Sequence, residues 1–379
     1  MPLLRPTALL LLTGMAVWAE LRVGRAALKL GESANADDLW VKALLLDDGE
    51  TRVALLMCDS PSLDRGTVDA ARRRIFAQSS IPEGHIMIAA TGVRSAPVAS
   101  AGRIAEAVRL ALASAVAAQA WAGQGKEDSI GFYNRFLMKD GTVRANPGRL
   151  NPDIVQAAGE ADPELTMAGF ETAGGHTLAI FGSYSLRAAV DYPGVIARVL
   201  GKVHGAELVT LWSTGAGANV SHIDVRGKAS RPGASEARRV GTVLAGEAIK
   251  AAARAAAVRG ASRLAVTREM VKLTPGQPGQ SPIQAEVQVI ALGDSLAWVA
   301  LPGELWTELG AAIRKASPFP LTLLVGSANG WAGVFPTRRG YVDGLPEMQE
   351  VMAAAGSGEI IADVAARLLA EARRRAAGQ

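Results

Sequence analysis

Cysteine is almost missing from this sequence of 379 residues: Cys58 stands alone, so no disulfide can form within the chain. Histidine is nearly as scarce, with four residues, which bounds how many imidazole ligands a metal could find. Aromatic residues make up 5%. Beyond the first residues no run reaches the roughly 20 apolar positions needed to cross a bilayer as a helix, which predicts no transmembrane segment. Charge of neither sign dominates, since 40 Lys and Arg face 36 Asp and Glu. The densest basic runs, Arg72-Arg73-Arg74 and Arg373-Arg374-Arg375, lie on Ala-rich helical stretches. They read as solvated faces, without the interleaved aromatics of a nucleic-acid site.

What is present is a hydrophobic fraction of 49% over a length sufficient for one large domain. The N-terminus has the layout of a secretory signal, with Arg5 ahead of an apolar stretch and the small-residue pattern Val17-Trp18-Ala19. Cleavage after Ala19 would leave residues 20–379 as the mature protein, exported to the periplasm or beyond. A chain without disulfides suits a bacterial periplasm. Cys58 ends the apolar run 53–58 and reads as a core thiol.

Short apolar runs alternate with long amphipathic ones, the signature of an α/β fold. Residues 40–46 and 52–59 read as a strand pair around the turn Asp47-Asp48-Gly49-Glu50. Further strands are predicted at 85–90, 165–171, 177–183, 208–212, 263–271, 283–292, 296–301 and 321–325. Helices are predicted at 63–78, 100–120, 194–203, 233–258, 303–315 and 358–374. Residues 141–163 are rich in Gly, Pro, Asn and Asp, and a long irregular loop inside a compact domain is often functional. Neither an internal repeat nor a domain linker is evident.

Several segments carry more information together than singly. Ala90-Thr91-Gly92-Val93-Arg94-Ser95-Ala96-Pro97 follows a predicted strand, and Asn134-Arg135, Lys139-Asp140-Gly141-Thr142-Val143-Arg144 and Asn151-Pro152-Asp153 punctuate the irregular loop. Asp191-Tyr192-Pro193-Gly194 precedes Gly215-Ala216-Gly217-Ala218-Asn219-Val220-Ser221-His222. Leu301-Pro302-Gly303-Glu304, Ala328-Asn329-Gly330 and Pro336-Thr337 come last. In this order the set resembles the amidohydrolase domain of the neutral ceramidase family, in particular its short bacterial subgroup. The resemblance implies a single large α/β domain of the ceramidase catalytic type, without the immunoglobulin-like domain of the large eukaryotic enzymes. It also implies a zinc amidohydrolase cleaving the amide of N-acyl sphingosine, a sphingolipid substrate.

The implied zinc ligands do not carry over. Where the family places its first His this chain has Gly92, and the second His of that segment, which would contact substrate, is Arg94. The His before the Asp-Tyr-Pro-Gly segment falls on Arg187 and the ligand Tyr on Val334, with Phe335 one residue away. Glu304 alone survives. Gly has no donor, and protonated Arg repels a cation, so the expectation is no bound zinc and a pseudoenzyme. Arg94 and Arg187 beside Glu304 would form either a buried ion-pair plug or an anion site. The remnant pocket would comprise Gly92, Arg94, Arg187, Asn219, His222 and Val334, open to an anionic or lipid-like small molecule. An alternative is an amide or ester hydrolase working through Ser221 and Glu304 without zinc. A Ser221–His222 dyad is disfavoured, because neighbours on an extended segment point apart.

Overall fold

The computed structural model describes residues 20–32, 38–93, 96–187, 191–227, 233–258, 263–344 and 350–378. The signal-like residues 1–19 and Arg94 lie outside them. The first described elements are the strands β1 (Arg22–Glu32), β2 (Asp38–Asp47) and β3 (Arg52–Cys58). The β2–β3 hairpin is closed by its own side chains. Asp47 Oδ1 accepts from the Gly49 N–H at 2.9 Å and Asp48 Oδ1 from the Thr51 N–H at 2.6 Å, the local bonding that favours Asp in turns. Helix α1 (Arg65–Ser79) starts on Asp64, whose carboxylate accepts from the Thr67 N–H. It leads to β4 (Ile86–Ala90), which runs parallel to β3. Helix α2 (Ala101–Ala113) then returns the chain to β5 (Val116–Ala117), antiparallel to β1.

The same path is then walked again. Strand β6 (Gln119–Lys126) is followed by four short strands, β7 (Phe132–Tyr133), β8 (Arg135–Met138), β9 (Val143–Ala145) and β10 (Ile154–Ala157), the last three forming a small sheet within the irregular loop. The hairpin β11 (Glu164–Glu171) and β12 (Thr177–Tyr184) pairs with β6. Helix α3 (Pro193–His204) crosses to β13 (Val209–Ser213), parallel to β12. After β14 (Val220–Ser221), helix α4 (Gly233–Ala253) leads to β15 (Ala256–Ala257), antiparallel to β6. A third pass has β16 (Leu264–Leu273), β17 (Ile283–Leu292) and β18 (Leu296–Ala300), then β19 (Glu304–Leu305) and helix α5 (Thr307–Ala316). It continues through β20 (Leu321–Val325), parallel to β18, then β21 (Val334–Phe335), α6 (Arg338–Val342) and α7 (Ser357–Ala376).

The strand orders are β4-β3-β2-β1-β5, β13-β12-β11-β6-β15 and β20-β18-β17-β16. The domain is therefore three copies of one supersecondary unit, although no repeat is evident in the sequence. Even detail repeats. A Cβ at Gly24 on β1 would meet the Ala111 carbonyl oxygen at 2.1 Å and the Ala115 methyl at 3.4 Å. A Cβ at Gly123 on β6 would meet the Ala251 oxygen at 2.7 Å and the Ala255 methyl at 3.4 Å. In the third unit the Thr267 hydroxyl of β16 donates to the Leu368 carbonyl of α7. Each returning helix thus lies against the first strand of its own sheet.

The inner faces of the three sheets share one core, in which Val23, Leu55, Phe170, Phe181, Ile290 and Trp298 are buried together. Trp298 stacks on Phe170 at 6.5 Å and meets Phe181 edge-on at 6.2 Å. Each outer face packs under its own helix pair. The hairpin strands β2, β3, β11, β12, β17 and β18 fall where the sequence predicts them, whereas β1 and β6, which extend two of those sheets, are not among the predicted strands. Three helix predictions need correction. The predicted helix 100–120 ends at Ala113, where the Ser114 hydroxyl turns to the Arg25 carbonyl and the chain becomes β5 and β6. The predicted helix 233–258 likewise ends at Ala253 before β15. Alanine favours helix locally, and strand pairing overrides it in both. Glu304, predicted helical, is in a strand paired with Val334. Arg72 is not solvated: it is 1% exposed and donates two hydrogen bonds to Glu286 on β17. Among the described residues no helix is long and apolar enough to cross a membrane.

With a Cβ pressed against a helix carbonyl at both positions, Gly24→Ala and Gly123→Ala should each lose about 1–3 kcal/mol by overpacking. Gly201→Ala on α3, where a Cβ meets nothing within 4 Å, gains roughly 0.5–1 kcal/mol from helix propensity. Urea unfolding of the three variants measures both signs; a neutral Gly24→Ala and Gly123→Ala would refute the contact.

Candidate functional site

Each parallel strand pair ends in the same kind of turn. Thr91-Gly92 follows β4, Thr214-Gly215 follows β13 and Gly326-Ser327 follows β20, and the second residues have φ of +78°, +59° and +50°. Two of the three are glycine, as left-handed backbone favours; Ser327 takes that conformation with a side chain. All three second residues, with Thr91 and Thr214, line one cavity of about 390 Å³. The loops after β3, β12 and β18 contribute Ser62, Arg187 and Glu304 to it. Ends of parallel strands are where open α/β sheets place ligands, and here six such ends meet.

The cavity's charged side chains among the described residues are Arg187, Glu304 and Glu350. Arg187 Nε lies 2.8 Å from Glu304 Oε2 and Nη2 lies 2.6 Å from Glu350 Oε2. Burial works against the guanidinium's charge, but the Glu304 and Glu350 carboxylates outweigh it and hold its pKa above the ordinary value. The Arg187 and Glu304 side chains are 31% and 21% exposed, so the pair forms part of the wall of an open cavity. Gly92 faces that cavity, and a Cβ built there meets nothing within 4 Å.

Of the other residues singled out in the sequence, Ser221 lines the same cavity, and Asn219 and Val334 line an adjoining one of about 350 Å³. Phe335 is 1% exposed in the core, so Val334 occupies the cavity wall at that register. Asn219 is 2% exposed and fully engaged. Its Oδ1 accepts from the Thr307 N–H and its Nδ2 donates to Glu308, which also accepts from the Tyr133 hydroxyl at 2.6 Å. Asn219 thus ties the α5 N-terminus to β14. Ser221 Oγ accepts from the Ile223 N–H at 3.1 Å, and no ring nitrogen of a described histidine bonds to it. His222 lines neither cavity. Glu350, 163 residues from its partner Arg187, carries no signal in the sequence. Thr214 and Gly215, likewise not among the site residues singled out in the sequence, do carry one: a Thr-Gly pair follows both β4 and β13.

The residues do not fit a zinc ion. Four N, O or S donors are required. Gly92 and Val334 offer no side-chain donor, and the Glu304 carboxylate receives a guanidinium. Among the described residues no group of three His, Cys, Asp or Glu side chains converges to hold a metal.

No protein-family model matches the chain, and no curated protein matches it significantly. Solved structures do. Neutral ceramidase from Pseudomonas aeruginosa superposes with a TM-score of 0.76 at 14% identity, over 94% of this chain and 75% of that one. A ceramidase complexed with C2 gives a TM-score of 0.76 at 14% identity, over 94% and 76%. At this identity the likeness is one of fold: the chain has the α/β fold of these ceramidases. The fold agrees with the resemblance carried by the sequence segments.

Glu304→Gln leaves Arg187 with Glu350, so it should destabilise by about 1 kcal/mol, the scale of a partly exposed pair, well short of the 3–5 kcal/mol of a buried one. Chemical unfolding measures it, and a loss above about 3 kcal/mol would show the pair to be effectively buried. Burial lowers the His222 pKa, with Glu236 opposing and Arg239 and Arg149 reinforcing. A histidine with a depressed folded pKa contributes stability above its unfolded value of about 6.5 and loses it as pH falls towards the folded pKa. Wild type should therefore weaken below pH ~6.5, and His222→Gln should flatten part of that slope in melts across the range.

Proposed function

We propose that this chain is a non-hydrolytic, ligand-binding protein on the ceramidase fold, exported by its N-terminal segment. The observation that carries the reading is the Arg187–Glu304 ion pair, at 2.8 Å, where the resemblance implies zinc. A guanidinium there does what a metal cannot. It neutralises the one remaining ligand carboxylate permanently, and it offers no exchangeable water to activate. The cavity stays open beside the pair. One cation and two carboxylates line it among the described residues, a balance of +1 − 2 = −1. That balance favours a neutral or amine-bearing polar group there over an anion, with the hydroxyls of Thr91, Thr214 and Ser327 as partners.

Hydrolysis through Ser221 is the weaker reading, because its hydroxyl already accepts a backbone N–H and no described histidine is hydrogen-bonded to it as a general base would be. The purified protein, incubated with zinc and desalted, should retain far less than one equivalent by elemental analysis. It should release no fatty acid from N-acyl sphingosine and take no label from a serine-directed fluorophosphonate. Stoichiometric zinc with fatty-acid release, or labelling lost in Ser221→Ala, would sink the proposal.

A further inference from the structure

The second cavity holds a cation that the protein itself leaves short of partners. Arg135, on β8, is 2% exposed. Its Nη2 donates to the Gly344 carbonyl at 2.7 Å, and its Cζ lies 5.0 Å from the centre of the Trp306 ring. Its Nη1 is buried without a hydrogen-bond partner, and it pairs with no carboxylate among the described residues. Arg135 lines the cavity of about 350 Å³, whose other charged residues there are Arg187 and Glu350. Glu350 is committed to Arg187 at 2.6 Å, so it does not answer Arg135. Beyond the Arg187–Glu350 pair that both cavities share, this one adds Arg135 and its neighbour adds Glu304 among the described residues. A guanidinium removed from water needs an anion or good acceptors around it. One carbonyl and one aromatic face meet only part of that need.

We infer that the second cavity is an oxyanion subsite in which a carboxylate, phosphate or sulfate group of the ligand accepts from the Arg135 guanidinium that lines it. This deepens the ligand-binding reading, and rests on it for treating the two cavities as one open site. They share Asn134, Asn146 and Ala218 as well as Arg187 and Glu350. A ligand spanning both would carry its oxyanion at Arg135 and a neutral or amine group towards Glu304. The Arg135 charge disfavours a cationic group in the second cavity.

Calorimetric titration of the full chain with sodium sulfate, phosphate and acetate, at matched ionic strength in chloride, tests this and separates tetrahedral from planar oxyanions. One saturable site is expected for at least one of the three. Arg135→Met should weaken it at least tenfold, yet melt at or above wild type in chloride, because the variant removes a buried cation that has no counter-charge among the described residues. Ala145→Trp keeps Arg135 but fills the cavity from the neighbouring strand, where Ala145 is the register partner of Arg135; it too should abolish binding. No saturable binding by wild type overturns the inference. Wild-type binding by either folded variant means an adventitious ion only, and overturns it equally. Zinc-dependent hydrolysis would sink the earlier reading and leave oxyanion binding standing, so the two failures are distinguishable.

Discussion

Three sheets cannot share one apolar core unless their inner faces are held at fixed angles around it, and that constraint governs everything at the site. Phe170, Phe181 and Trp298 fill the space between the second and third sheets, while Val23, Leu55 and Met87 bring in the first. With the strands so fixed, the three parallel pairs end at one place. The turns that leave them place Gly92, Gly215 and Ser327 around one cavity. The turns directly after β4, β13 and β20 form one part of its lining, and close packing beneath prevents them from drifting; Ser62, Arg187, Glu304 and Glu350 join them from other segments of the chain.

The repeat also explains why one ion pair is an opening and another is a seam. Arg72 and Glu286 are both 1% exposed and join α1 of the first unit to β17 of the third. The Ile86 carbonyl accepts from Arg72 as well, and Arg65 adds a second guanidinium to Glu286 at 2.5 Å. Burial pushes the Glu286 pKa up, but the two arginines overcome it and the net shift is downward. That cluster is closed and satisfied, so it fastens units together without offering a surface. Arg187 and Glu304 come from equivalent positions after β12 and β18 and face open space. The same chemistry is structural where the units meet flank to flank, and accessible where their strand ends meet.

Much of this was legible in the sequence. The hairpins follow from apolar runs broken by short turns, Asp48-Gly49 in β2–β3 and Gly174-Gly175 in β11–β12, and the ordered segments pointed to the fold. Of the residues singled out, Gly92, Arg187, Ser221 and Glu304 line one cavity and Asn219 and Val334 its neighbour, His222 lines neither, and Arg94 lies outside the described residues. What was not legible has physical causes. The threefold repeat leaves little trace because each unit buries different side chains against the same backbone path: Gly24 and Gly123 have Thr267 as their counterpart. Strands β5 and β15 are two residues each within alanine-rich stretches, where local propensity points to helix. Glu350 and Arg135 matter through what lies opposite them across the fold, and a reading along the chain cannot see such partners.

The equivalence of the three turns bears on how far the chain stands from a metal site. Position 92 has φ of +78°, and a histidine there would carry the strain of left-handed backbone, of order 1–3 kcal/mol. Ser327 at φ +50° shows that the architecture tolerates one such residue in this ring, so strain alone does not forbid it. The harder obstacles are electrostatic and steric. A metal would have to displace Arg187 from Glu304 while Glu350 remains beside it, and a tyrosine at position 334 would have to replace a valine that is 3% exposed. Single substitutions each lose an existing contact before any coordination can offset it, since one or two ligands hold zinc poorly. The ion pair is therefore a self-consistent arrangement of this ring of turns, with open space beside Gly92.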